Sequence, residues 1–455
     1  MQPLPLAPVD DPPRGFAATR NACNVCTPLG ACLVFRGIER AIPLLHGSQG
    51  CSTYIRRYLI GHFREPVDIA SSNFSESSAV LGGRQILHQG LENVIRQYAP
   101  ELIGIASTCL SETIGDDISL YVKEFRRDRP DRVLPELVHV STPSYRDTHA
   151  EGFHGAVKAV VETLAQSGPP ERLVNLLPGM VSPADLRYLK EVAADFDLPA
   201  VVLPDYSDSL DGGTWAEYER LPSGGTSLEA IRKMGQAVAT IEFGSTQDPS
   251  KTAGCALRDR HGVPRHGLGL PIGIRQTDAF FDMLSACSGR PVPAKHAAER
   301  GRLVDAYIDA HKYLANTRAL VYGEEDLVVG LAAFLSELGI KPALCGSGGR
   351  SGRLGPAVKQ FAPEAVVLSG VDFLELEDAA GELACDIMIG SSKGYPMARK
   401  LGKPLVRVGF PIHDRIGANR ILHLGYRGAN DLLDRITNTR IAAIQDSDPN
   451  GYMNI

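Results

Sequence analysis

Short apolar runs alternate with longer amphipathic stretches along most of the chain, which is the pattern of a parallel α/β protein. Strands are expected at 101–106, 137–140 and 200–203, and in a second series at 319–322, 365–368, 387–389 and 405–408. Helical periodicity fills 153–164, 227–241, 277–287 and 327–338. Each helix can return the chain for the right-handed crossover that a parallel sheet requires. Stretches of linker composition at 166–170 and 288–293 divide the chain into expected units of 1–165, 166–290 and 291–455. The fold class is therefore α/β, with three Rossmann-like domains built on parallel sheets. A length of 455 residues agrees with that number, at about 150 residues per domain.

Composition removes several classes of function. The chain is 44% hydrophobic and 22% charged, and no run approaches the ~20 apolar residues of a membrane span. A proline-rich arm to about residue 20 stands where a secretory signal would place a basic start and an apolar core, so a soluble, cytoplasmic chain is expected. A net charge of -6 without blocks of like charge gives no field to attract nucleic acid.

Nine cysteines change the picture, because a large cytosolic chain has little use for disulfides. Cys32, Cys255, Cys287, Cys345 and Cys385 lie among small or apolar residues and are expected to pack as small hydrophobes. Cys23, Cys26, Cys51 and Cys109 are flanked by turn formers or polar residues instead. Cys109 follows a predicted strand, at the carboxyl edge where open α/β sheets place ligands. Cys51 stands behind Gly47 and Gly50, which let backbone approach a bulky group. Cys26 precedes Thr27-Pro28 at an expected helix start, where the dipole favours a thiolate.

Converging thiolates suit a soft metal. Structural zinc wants two close pairs of ligands, and only Cys23 and Cys26 form one. A thioredoxin-like reading of that pair lacks a convincing preceding strand. An iron-sulfur cluster fits better, since it tolerates wide spacing, and three ligands in one chain leave it to be completed by a second subunit. The glycine-rich stretch 346–352 lacks the spacing of a nucleotide-binding fingerprint and is expected to be a loop.

Three ordered blocks carry a resemblance: Cys26-Thr27-Pro28-Leu29-Gly30-Ala31, then Pro43-Leu44-Leu45-His46-Gly47-Ser48-Gln49-Gly50-Cys51, then His62-Phe63-Arg64-Glu65-Pro66. Thr108-Cys109, Ile114-Gly115-Asp116-Asp117, Thr142-Pro143-Ser144 and Arg407-Val408-Gly409-Phe410-Pro411 follow. The chain resembles the β-type subunits of nitrogenase and nitrogenase-like reductases over nearly its whole length. The resemblance implies an α2β2 heterotetramer in which Cys26, Cys51 and Cys109, with three cysteines of an α-type partner, hold an [8Fe-7S] P-cluster. It implies Ser144 as an additional oxygen ligand, Gly50 within the cluster-binding loop, and an ATP-dependent iron protein as electron donor. The active-site cluster would lie on the α-type partner, which leaves this chain no catalytic residue of its own.

Within the family, 203–212 looks like the β-like subunit of the cofactor-maturation scaffold, whose interface holds a [4Fe-4S] cluster. The complete cysteine triplet looks like a catalytic member. That combination resembles the methylthio-alkane reductases, which cleave carbon-sulfur bonds and release methanethiol. Dinitrogen-reducing nitrogenase and the maturation scaffold are the alternatives. His46 is expected to pack beside the site and not to ligate. Arg56, Arg57 and Arg64 form either a docking surface or a solvated helix face. By the resemblance, Glu65 would join an intersubunit cation site.

Overall fold

In a computed structural model, residues 23–448 are described, apart from 76, 77, 79, 81, 215 and 218; the proline-rich arm lies outside the described residues. Three separate sheets are built entirely of parallel pairs. The first contains β1 (Ala41–His46), β2 (Ala70–Ser71), β3 (Leu102–Ser107) and β4 (Glu136–Val140), in the order β2-β1-β3-β4. The second contains β5 (Glu171–Leu177), β6 (Ala200–Val202), β7 (Ala237–Phe243) and β8 (Arg265–Leu268), in the order β6-β5-β7-β8. The third contains β9 (Arg318–Tyr322), β10 (Lys341–Ser347), β11 (Val366–Ser369), β12 (Ile387–Gly390) and β13 (Leu405–Arg407), in the order β11-β10-β9-β12-β13.

The expected helix over 227–241 is overturned in its second half. Helix runs only over Leu228–Lys233, a single 3-10 turn follows, and β7 begins at Ala237. The stretch Ala-Val-Ala-Thr-Ile-Glu-Phe pairs with β5 on one side and β8 on the other. Short apolar runs fit either period, and burial between two strands decides the matter. β1, β5, β8 and β10 are strands that the hydrophobic pattern did not single out, and β1 contains Pro43. β2 pairs only with Leu44 and Leu45, so the strand is an edge at Pro43, where proline is tolerated.

One apolar cluster runs through all three sheets, from Phe35 and Phe153 through Tyr206 and Phe243 to Phe334 and Tyr426. Beside the first sheet the helix Thr27–Arg36 lies on β3 with every residue buried. Gly104 makes this possible, since a Cβ there would fall 2.1 Å from the Phe35 ring. The same helix crosses the helix His149–Leu164 through Gly30 and Gly152. These two close approaches fix where the residue preceding the first helix, Cys26, is presented.

Candidate functional site

Each of the three thiols stands at the start of a helix. Cys26 is the N-cap of Thr27–Arg36, Cys51 is the third residue of Gln49–Phe63, and Cys109 opens the short helix Cys109–Ile114 directly beyond β3. The first two helices are 10 and 15 residues long and begin without a side-chain cap from their own N-cap residues. Their leading amides present partial positive charge toward this region.

The thiols are close enough to feel one another. Burial pushes the Cys26 thiol above its ordinary value; a hydrogen bond with Ser144 opposes this, and Cys109 and Cys51 raise it further. Thiolates side by side repel, and a bound metal centre supplies the charge that allows all of them to deprotonate. Ser144 also receives the Thr27 amide on its Oγ at 3.1 Å. Ser48 Oγ donates to the Cys51 sulfur at 3.7 Å.

Hydrogen bonds between backbone and small side chains hold these loops in register. Thr27 Oγ1 donates to Asp147 O at 2.6 Å, and the His149 amide donates to Val25 O at 3.1 Å. Thr108 Oγ1 donates to His46 O at 3.1 Å, and Gly47 gives it room, because a Cβ there would meet that hydroxyl at 2.3 Å. A Cβ on Gly50, by contrast, would find only Ser48 Oγ, at 3.7 Å. Gly47 is thus the glycine packed by this chain, while Gly50 faces open space. Cys109 is exposed, and Cys26 and Cys51 are half-buried.

The donor set fits a sulfur-ligated cluster shared with another chain. It offers three cysteines and a serine hydroxyl, open to the outside, beside two helix starts that favour an anion. Among the described residues, no group of three or more His, Cys, Asp or Glu side chains is arranged to hold a single metal ion.

Residues 26–441 match the family described as Nitrogenase component 1 type Oxidoreductase. The nitrogenase molybdenum-iron protein beta chain of Methanothermobacter marburgensis is 38% identical over 440 residues, covering 94% of this chain and 95% of the relative. The chain belongs to the nitrogenase component 1 family. It is a β-type subunit of that family's oxidoreductase complexes. The nitrogenase iron-molybdenum cofactor biosynthesis protein NifN of Bradyrhizobium diazoefficiens is 34% identical, with 95% and 92% coverage. The solved structure Nitrogenase Cp1 at pH 6.5 superposes with a TM-score of 0.93 at 32% identity, covering 98% of both chains.

Against that family background the remaining candidates divide clearly. His46 is fully buried, with Nδ1 3.0 Å from Ser72 Oγ and Nε2 3.0 Å from Asp116 Oδ2, so it packs and does not face the thiols. Cys23 turns the other way, into the apolar side of the third sheet beside Gly348 and Lys393, and burial pushes its thiol up to about 12. The glycine-rich loop after β10 is filled by the chain itself: Asn24 Nδ2 donates to Gly348 O at 3.0 Å, and Glu325 Oε1 accepts the Ser351 amide at 3.3 Å.

Arg56 and Arg64 are exposed but tied back, Arg56 to Val67 O at 2.8 Å and Arg64 to His413 O at 2.9 Å; Arg57 is exposed. Glu65 is half-buried, and burial together with nearby Asp211 raises its pKa. A cavity of about 40 Å3 is lined by His62, Asp185, Phe410 and His423 among others. It has room for about three waters.

Sequence reading missed Gly30, Gly152, Ser107 and Glu112 as parts of the site's support. Gly152 carried a usable signal, since an isolated glycine within a helical stretch often marks close packing. Glu112 lies three residues after Cys109, on the same helical turn.

Proposed function

We propose that this chain is the P-cluster-bearing, electron-relaying β-type subunit of a nitrogenase-like reductase whose complex cleaves methyl thioethers to methanethiol. The interaction of the Cys26 thiol with Ser144, Cys109 and Cys51 carries the cluster part of this reading. An [8Fe-7S] cluster bound there, completed by cysteines of an α-type partner, supplies stepwise one-electron transfer. Cys26, Cys51 and Cys109 are its thiolate ligands from this side. Ser144 Oγ, already beside the Cys26 thiol, offers an oxygen donor when the cluster is oxidised. Gly50 leaves the approach to Cys51 free of side chain. Exposed Leu110 and Tyr145, next in sequence to Cys109 and Ser144, offer apolar surface for the partner to cover. Nitrogenase β subunits pair with α-type partners, and we extend that pairing here to an α2β2 assembly served by an ATP-dependent iron protein.

The choice of methyl thioether rests on two marks in the sequence that are physically separate. The scaffold-like segment 203–212 packs at the far end of the Cys26 helix, where Ser209 Oγ donates to Arg36 O at 2.8 Å, about 15 Å along the helix from the thiol. A scaffold-like body with the full thiol set is thus not explained by one local feature.

The 34% identity to NifN favours a second reading, an assembly scaffold whose interface holds a [4Fe-4S] cluster. One experiment separates the readings: the purified complex is supplied with its iron protein, ATP and reductant and offered a methyl thioether or dinitrogen. Methanethiol without ammonia supports the proposal, and ammonia shifts it to dinitrogen reduction. No product, with about four irons per interface in place of about eight, sinks it in favour of the scaffold.

A further inference from the structure

Cys109 and Ser144 stand on different loops, after β3 and β4, and a single carboxylate joins those loops. Glu112 lies one helical turn beyond Cys109. Its Oε1 accepts from Ser107 Oγ, at the end of β3, and from Ser141 Oγ at 2.6 Å, directly after β4. Ser107 extends the connection: its Oγ accepts the Thr142 amide at 2.7 Å, and its carbonyl accepts Thr142 Oγ1 at 2.6 Å. Ser107 and Thr142 are fully buried, whereas Ser141 is exposed. On the other side of Cys109, Thr108 ties the same turn to the carbonyl of His46 and so to the strand that leads into Cys51.

The chemistry of this link differs from that of several bonds that hold the neighbouring loops. The bonds that tie Thr27 to Asp147, His149 to Val25 and Thr108 to His46 are neutral ones from amides and hydroxyls. Here one oxygen of a carboxylate receives two hydroxyl protons, and such charge-assisted bonds are shorter and roughly twice as strong as neutral ones. Groups that orient metal ligands from behind commonly tune the metal, and cluster potentials respond to nearby charge and hydrogen bonding.

We propose that Glu112 is a positioning residue that fixes the Ser144 loop against the Cys109 turn, and thereby sets the potential of the cluster held between them. The cluster part rests on the ligand assignment above; the loop part does not. Loss of the carboxylate loosens the Ser141–Ser144 segment, which keeps its bonds from Thr142 to Ser107 and from Thr27 to Ser144, while an amide in its place keeps an acceptor oxygen for the serines.

The test compares the complex carrying wild-type chain, Glu112→Ala, Glu112→Gln and Ser141→Ala. Hydrogen exchange at residues 141–146 reads the loop, and redox titration followed by electron paramagnetic resonance reads the cluster. Glu112→Ala is expected to lose amide protection in that segment and to show a displaced midpoint potential. Glu112→Gln should restore the protection, and Ser141→Ala should lose it in part, which keeps the test available should Glu112→Ala fail to assemble. Protection in Glu112→Ala equal to wild type overturns the proposal, as does an unmoved midpoint potential. A wild-type complex without iron refutes the ligand assignment instead, and the exchange comparison still decides whether Glu112 holds the loop.

Discussion

Gly30 and Gly152 bring two helices into backbone contact: a Cβ on Gly30 would lie 1.9 Å from His149 O, and a Cβ on Gly152 would lie 1.9 Å from Thr27 O. No side chain can be accommodated at either distance, so the contact depends on both residues. It brings the start of the Cys26 helix against the segment that carries Ser144. Gly30→Ala or Gly152→Ala must push the helices apart, and overpacking of this kind typically costs about 1–3 kcal/mol. Thermal denaturation of the complex should show a lowered midpoint for each, and iron analysis a reduced content. An unchanged midpoint in either variant would contradict the reciprocal packing.

The proposed ligand assignment treats Cys26, Cys51 and Cys109 differently from Cys23. Cys51→Ala and Cys109→Ala alter side chains at the open face, so most of the fold should survive while iron-protein-dependent turnover is lost. Cys23→Ala changes a thiol packed on the third sheet and should leave iron content at the wild-type level, with a stability loss of about 1 kcal/mol from the small void. Iron quantitation beside circular dichroism checks all three. Normal turnover in Cys51→Ala or Cys109→Ala refutes the ligand assignment, and iron loss in Cys23→Ala would show that ligand exchange reaches across the Cys23-x-x-Cys26 pair.

Acid sensitivity has an identifiable contributor in His62. The ring is enclosed, and Nδ1 accepts the Ile412 amide at 2.9 Å, which requires a neutral imidazole. Burial, reinforced by His413, His423 and Arg64, pushes its pKa down to about 3. An unfolded histidine titrates near about 6.5. Between these values only the unfolded chain takes up the proton, so this contribution to stability is complete above about pH 6.5 and is lost as pH falls toward 3. The slope from this group is about 1.4 kcal/mol per pH unit. Urea denaturation midpoints should therefore fall between about pH 7 and pH 5, and less steeply in His62→Gln. Equal slopes in the two proteins would clear His62 as the cause.

Much of the fold was legible from local pattern. Uniformly apolar runs such as Leu102–Ser107 and Ile387–Gly390 declare buried parallel strands, and both stand where expected. Ala237–Phe243 did not declare itself, because its apolar spacing also fits a helix and only pairing with β5 and β8 resolves it.

The sequence by itself determined the α/β class and the family, and it singled out the thiols proposed as ligands, because strand composition, ordered motifs and turn-flanked cysteines are local properties of the chain. Tertiary structure decided the rest. It sent Cys23 into the third sheet, turned His46 toward Ser72 and Asp116, and closed the glycine-rich loop on Asn24 and Glu325. It also joined the Cys109 turn to Ser141 through Glu112. These are contacts between segments 25 or more residues apart, or choices of which way a side chain faces. Neither follows from spacing until the helices have packed on their sheets.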